Sequence, residues 1–178
     1  VDALLPLVTE RIDRQKETDR LFEFDDLLNR VHDALDDENN ADFLKLLHER
    51  FRYGLIDEFQ DTDSKQWHIF RRIFVDNPNG VIYIIGDPKQ AIYGFRGADI
   101  HTYLEARDSL IRATDRPAVR VPLSVNYRST SDMIGAVNLI LDQTDSDRLL
   151  QGPIRYSEPV TCGRTELRLV DADGQSVK

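Results

Sequence analysis

The run Val81-Ile82-Tyr83-Ile84-Ile85 is apolar at every position and mostly β-branched. Such a run fits a strand buried on both faces of a parallel sheet. Upstream, Leu55 and Ile56 close a second apolar strand. Between the two stand Trp67, Ile69, Phe70, Ile73 and Phe74 at helical spacing. Asp63 or Ser64 is placed to cap that helix, and Asn77-Pro78-Asn79-Gly80 to stop it. Strand, loop and helix alternate, which implies an α/β chain with helices packed on a sheet.

Apolar periodicity marks the other elements. Residues 1–20 read as a helix after Pro6, with Leu7, Val8 and Ile12 among its apolar positions. Asp25 or Asp26 caps a helix whose face is Leu27, Leu28, Val31 and Leu35, broken by Asp36-Asp37-Glu38-Asn39-Asn40. Another helix carries Phe43, Leu44, Leu46, Leu47 and Phe51 and ends near Arg50, and a further one runs from about Asp99 to Ile111. Pro117 to Leu123 reads as a linker entering a short strand at Val119, Val121 and Leu123. Ser129 or Thr130 then starts a helix through Met133, Ile134, Val137, Ile140 and Leu141. A last strand is expected around Leu167, Leu169 and Val170. A boundary between two α/β units is expected between about Thr114 and Pro122.

Both buried-strand candidates end in polar loops, where ligand sites of open α/β sheets lie. The first loop is Asp57-Glu58-Phe59-Gln60-Asp61-Thr62. Side chains alternate along a strand, so Asp57 and Glu58 aim in different directions. One carboxylate can hold a metal ion while its neighbour orients a water, as nucleotide hydrolysis requires. A solvated acidic turn is the plainer alternative, since exposed acids are common. The second loop is Gly86-Asp87-Pro88-Lys89-Gln90-Ala91-Ile92-Tyr93-Gly94-Phe95-Arg96-Gly97-Ala98-Asp99. Gly86 permits a sharp turn. The Gln90 amide can donate to a phosphate oxygen and accept from water. Tyr93 and Phe95, relieved by glycines, either stack on bases or belong to the core. Arg96 can meet a phosphate or tie down the loop. The third string is Asn126-Tyr127-Arg128-Ser129, in which the planar, permanently charged fork of Arg128 suits phosphate oxygens. A helix-capping turn is its plainer alternative.

Composition pulls the other way. With 23 basic and 32 acidic residues the net charge is −9, and nucleic-acid affinity rests on Lys and Arg neutralising phosphates. The chain alone is a poor free-standing DNA binder. Its single cysteine, Cys162, allows no internal disulfide and suits a reducing, cytoplasmic compartment. His32, His48, His68 and His101 lack metal-ligand spacing along the chain and are assigned no chemistry. No apolar run reaches membrane length, and no signal segment opens the chain.

In this order the three strings resemble motifs II, III and IV of the UvrD/Rep-type superfamily 1 DNA helicases, and Lys89 and Ala91 are similar to its RecB-type branch. The resemblance implies a partial RecA-like P-loop NTPase motor lobe plus the start of a second. Residues 1–20 would end an inserted helical subdomain, 21–115 would be the C-terminal part of the first lobe, and 116–178 would begin the second. It implies ATP and Mg²⁺, with Asp57 on the metal and Glu58 positioning or deprotonating the attacking water. Gln90 would contact the γ-phosphate. Arg128 would reach it as an arginine finger, and Tyr127 would face the adenine. Tyr93, Phe95 and Arg96 would face single-stranded DNA, with Gln60 and Asp61 bracing the site. The parent would be an ATP-dependent 3′→5′ helicase coupled to exonuclease activity. It would unwind duplex DNA ends for recombinational repair, beside partner subunits of the RecC and RecD type. No Gly-x-x-x-x-Gly-Lys-Ser/Thr loop occurs, and motifs V and VI are absent. The chain is therefore expected to be an internal piece, inactive alone. Two rivals stand beside this: a metal-dependent nuclease on Asp57, Glu58, Asp61 and Asp63, and a non-catalytic docking module.

Overall fold

The structure, a computed structural model, describes residues 4–19, 21–94, 99–113, 116, 118–143, 154, 156, 159–166, 168, 170 and 172–174. The chain divides into two compact units, Val1–Arg107 and Asp108–Lys178. The first holds α1 (Leu4–Asp19), α2 (Phe24–Asp36), α3 (Ala41–Arg50), β1 (Tyr53–Ile56), α4 (Ser64–Phe70) and β2 (Val81–Ile84), and it takes in the start of α5 (Ile100–Arg112).

Helix ends follow local chemistry. α1 begins at Leu4, ahead of Pro6 rather than after it. A proline in the first turn is tolerated because its missing N–H would have no partner there. The cap of α2 is Glu23, not Asp25 or Asp26. Asp26 lies in the first turn and reaches back, its Oδ2 accepting from the Glu23 N–H at 2.9 Å. That bond, with Lys16 Nζ 3.0 Å away, holds the Asp26 carboxyl below its ordinary range. α2 does end in the acidic run, and α3 ends at Arg50. Asp63 caps α4 reciprocally: its Oδ1 accepts from the Gln66 N–H at 2.8 Å, and Gln66 Oε1 accepts from the Asp63 N–H at 3.1 Å. Past Phe70 the helix widens into one π-turn, Arg71–Val75. Asn77 then stops it. This residue is only 2% exposed, and its Nδ2 donates to the His48 carbonyl at 3.0 Å.

β1 and β2 pair in parallel, Tyr53 opposite Val81 and Ile56 opposite Ile84. Gly54, Ile56, Ile82 and Ile84 share the covered face. Gly54 has no Cβ because one would sit 2.9 Å from the Phe74 ring that lies across it. The opposite face carries Tyr53, Leu55 and Tyr83, which are 69%, 68% and 54% exposed. The expectation that Val81–Ile85 is buried on both faces therefore fails. Among the described residues nothing covers the second face. The core lies beneath the first, where Phe59 is fully buried. Its ring meets Trp67 edge-on at 5.6 Å and Tyr103 at 5.8 Å.

The second unit contains β3 (Val125–Asn126), α6 (Ser131–Gln143) and β4 (Thr161–Cys162), with β3 and β4 parallel. The strand expected at Val119, Val121 and Leu123 does not form there; the three are 71–82% exposed. Pairing begins only where the Thr161 N–H reaches the Ser124 carbonyl at 2.7 Å. Leu167 and Leu169 lie outside the described residues. The chain is thus α/β, with parallel strand pairs and helices, the class expected of a RecA-like lobe. No helix among the described residues is long and apolar enough to cross a membrane.

Candidate active site

The two loops at the carboxyl ends of β1 and β2 are joined. Beyond the strands proper, the Ile85 N–H donates to the Ile56 carbonyl at 2.8 Å and the Phe59 N–H to the Ile85 carbonyl at 2.9 Å. Between these rungs the backbone must reverse. It does so at Glu58, with φ 51° and ψ 41°, the left-handed region. Glu58 is the one non-glycine residue with positive φ among those described. Such a conformation costs on the order of 1–2 kcal/mol for a side chain bearing Cβ. Three contacts hold it. Phe59 anchors in the core on one side. Asp57 Oδ1 accepts from the Glu58 N–H at 2.9 Å. Gln60 Nε2 donates to Glu58 Oε2 at 2.7 Å.

Gln60 is the link between loops. Its side chain is 2% exposed. While its amide nitrogen serves Glu58, its Oε1 accepts from the Asp87 N–H at 3.0 Å. Gly86 makes room: a Cβ there would lie 2.8 Å from Gln60 Oε1 and 3.1 Å from the Phe59 nitrogen. Gly86→Ala should therefore cost about 1–3 kcal/mol, because backbone as well as side chain must shift. Thermal unfolding of the chain checks this; an unchanged midpoint would show that the loops are not packed as described.

Asp87 organises the second loop. Its Oδ1 accepts from the Lys89 N–H at 3.0 Å and pairs with Lys89 Nζ at 2.8 Å, and its Oδ2 accepts from Gln90 Nε2 at 3.1 Å. Burial pushes the carboxyl's pKa up, but the Lys89 and Gln90 bonds outweigh it and leave it below the ordinary range. Gln90 is exposed, with its amide turned to Asp87. Asp61 sits half-buried, and its Oδ1 is enclosed without a hydrogen-bond partner. The structure thus gathers Asp57, Glu58, Gln60, Asp61 and Gln90 around two linked loops. Tyr93 is exposed. Phe95 and Arg96 lie outside the described residues.

In the second unit Asn126 Oδ1 accepts from the N–H groups of Arg128 and Ser129, at 2.8 and 2.9 Å. The turn leads into α6, where Thr130 Oγ1 accepts from the Met133 N–H at 3.4 Å. Asn126 therefore closes the turn, Thr130 caps α6, and the Arg128 side chain is left exposed. Tyr127 lies against Gly163, whose missing Cβ would fall on its ring.

The donor set suits a hard cation. Mg²⁺ prefers one or two carboxylates and keeps several waters. Asp57 and Glu58 are exposed carboxylates, and the partnerless Asp61 oxygen is of the kind a bound water would satisfy.

Residues 2–110 match the family model described as UvrD/REP helicase N-terminal domain. The chain belongs to that helicase family. Within it, the chain is similar to the RecBCD enzyme subunit RecB of Escherichia coli strain K12, 41% identical over 138 residues, which is 78% of this chain and 11% of that protein. It is likewise similar to RecB of Haemophilus influenzae, 43% identical over 130 residues (72% and 10%). For RecB of Mycobacterium tuberculosis the identity is 41% over 136 residues (75% and 11%). The chain spans about a tenth of the length of these curated relatives.

Sequence reasoning passed over Asp87, although an acid just before Pro-Lys-Gln is a natural capping residue for a tight turn. It also assigned the histidines no chemistry. The structure brings two of them, His32 and His68, together with Asp36. The signal was the spacing of four between His32 and Asp36 on one predicted helix.

Proposed function

We propose that this chain is the part of an ATP-dependent DNA helicase in which the motif II and motif III loops meet. We propose further that the parent travels 3′→5′ on single-stranded DNA and unwinds duplex ends with associated exonuclease activity, in a complex with RecC- and RecD-type subunits. The observation that carries the first proposal is Gln60, whose buried amide ties the strained Glu58 to Asp87; the polarity, the exonuclease and the partner subunits rest on the likeness to RecB. ATP with Mg²⁺ supplies the hydrolysable phosphate and the neutralising charge. Asp57 offers the metal-side carboxylate. Glu58, fixed by Gln60, orients the water and accepts its proton. Gln90 would exchange its bond with Asp87 for a phosphate oxygen, and Tyr93, Phe95 and Arg96, which begin three positions later in the sequence, would contact DNA. Arg128 is assigned the γ-phosphate and Tyr127 the base, on the motif in which they stand.

The nuclease alternative is weakened by Asp63, whose carboxylate is committed to capping α4. The test is an unwinding assay on tailed duplexes with the longer protein. ATP-dependent unwinding from a 3′ tail is expected. Unwinding only from a 5′ tail, or Mn²⁺-dependent cleavage without ATP and no unwinding, would sink the proposal. The 178-residue chain by itself should turn over no ATP above background, because it contains no P-loop sequence. A phosphate-release assay on that chain checks the point, and Glu58-dependent turnover would contradict it.

A further inference from the structure

We propose that His32, Asp36 and His68 form a binding site for one divalent transition-metal ion, of which zinc is the type, joining α2 to α4. Among the described residues their donor atoms all lie within 4.8 Å of one another. His32 and Asp36 are four apart on α2, so they stand on the same helical face one turn apart. His68 comes from α4, and its ring centroid is 4.6 Å from that of His32. Two imidazoles and one carboxylate make the nitrogen–oxygen donor set of three-ligand zinc sites, with water in the fourth position. That set discriminates against Mg²⁺ and Ca²⁺, which prefer oxygen alone.

The second layer of contacts favours a ligand role. His32 Nδ1 lies 3.2 Å from Asp33 Oδ1. A carboxylate on one ring nitrogen orients the imidazole and leaves the other nitrogen for a metal. His68 Nε2 lies 2.8 Å from Asp36 Oδ1. An ion between the two would replace that direct contact. Arg72 Nε stands 3.7 Å from Asp36 Oδ1, and its charge opposes a cation. That Nε is enclosed without a hydrogen-bond partner, while Nη2 donates to the Leu35 carbonyl at 3.0 Å and Nη1 to Asp76 Oδ2 at 3.3 Å, a carboxylate that offsets part of the charge. Bonds of about 2.0–2.1 Å place tetrahedral donors roughly 3.3 Å apart. From a spread of up to 4.8 Å the widest pair must close by about 1.5 Å and the 2.8 Å His68–Asp36 pair must open by about 0.5 Å, and none of the three side chains is fully buried.

The test uses the chelator-treated 178-residue chain, titrated with Co²⁺ for its visible ligand-field absorption and with Zn²⁺ in competition with a chromophoric chelator. One ion per chain is expected. His32→Gln and His68→Gln should each weaken binding at least about 10-fold, and His101→Gln should leave it unchanged. Circular dichroism confirms that each variant folds. His32→Gln is informative even if His68→Gln loosens α4, since it removes a ligand without touching the His68–Asp36 bond. No cobalt absorption, or absorption that survives both substitutions, would overturn the site and leave a proton-bridged His–Asp pair beside Arg72.

Discussion

Glu58→Gln in the longer protein should lower DNA-stimulated ATP turnover by about 10²–10⁴-fold, the range for removing a positioned general base, while nucleotide binding persists. The substitution is close to isosteric. Glutamine keeps an oxygen that can accept from Gln60 Nε2, now 2.7 Å from Glu58 Oε2. The left-handed backbone and the anchoring of Phe59 are unaffected by a change at the end of an exposed side chain. What disappears is the proton acceptor. Steady-state ATPase with single-stranded DNA, read beside binding of a fluorescent nucleotide, separates chemistry from affinity. A rate within threefold of wild type would show that Glu58 is not the base.

The parts of this site written in local sequence were legible. The cap at Asp63, one of the two residues offered for it, the stop at Asn77–Gly80 and the apolar runs of β1 and β2 each depend on residues a few positions apart. That is the range over which capping, turn and periodicity rules operate. The parts set by packing were not. Gln60 could be named as a brace, but its partner Asp87 is 27 residues away, and only the parallel register of β1 and β2 brings it near. The competition between Asp87 and a phosphate for Gln90 is invisible until the turn is seen. His68 lies 32 residues from Asp36, and only the packing of α4 on α2 makes a cluster of them. The continuous run Val81–Ile85 misled for a related reason. Composition states what a strand can tolerate on each face, not which face the described residues cover. The β3 strand began later than its apolar alternation, because strand pairing needs a neighbour and β4 offers its first hydrogen bond at Ser124.

Arg128→Ala should lower kcat in the longer protein by about 10³–10⁵-fold, the worth of an arginine finger. The structure makes this separable from a folding defect. The Arg128 side chain is exposed, so its removal should change stability by less than about 0.5 kcal/mol. Its turn is held by Asn126 Oδ1 accepting from the Arg128 and Ser129 backbone, contacts that alanine retains. Arg128→Lys should not restore the rate, because an ammonium lacks the planar fork that spans two phosphate oxygens. A structural role would show the opposite pattern, with a lowered melting temperature and rescue by lysine. Single-turnover hydrolysis at saturating ATP, with the unfolding midpoint measured on the same preparations, distinguishes the two. A fully active alanine variant would remove Arg128 from the chemistry and leave Asn126-Tyr127-Arg128-Ser129 as a helix-entry turn alone.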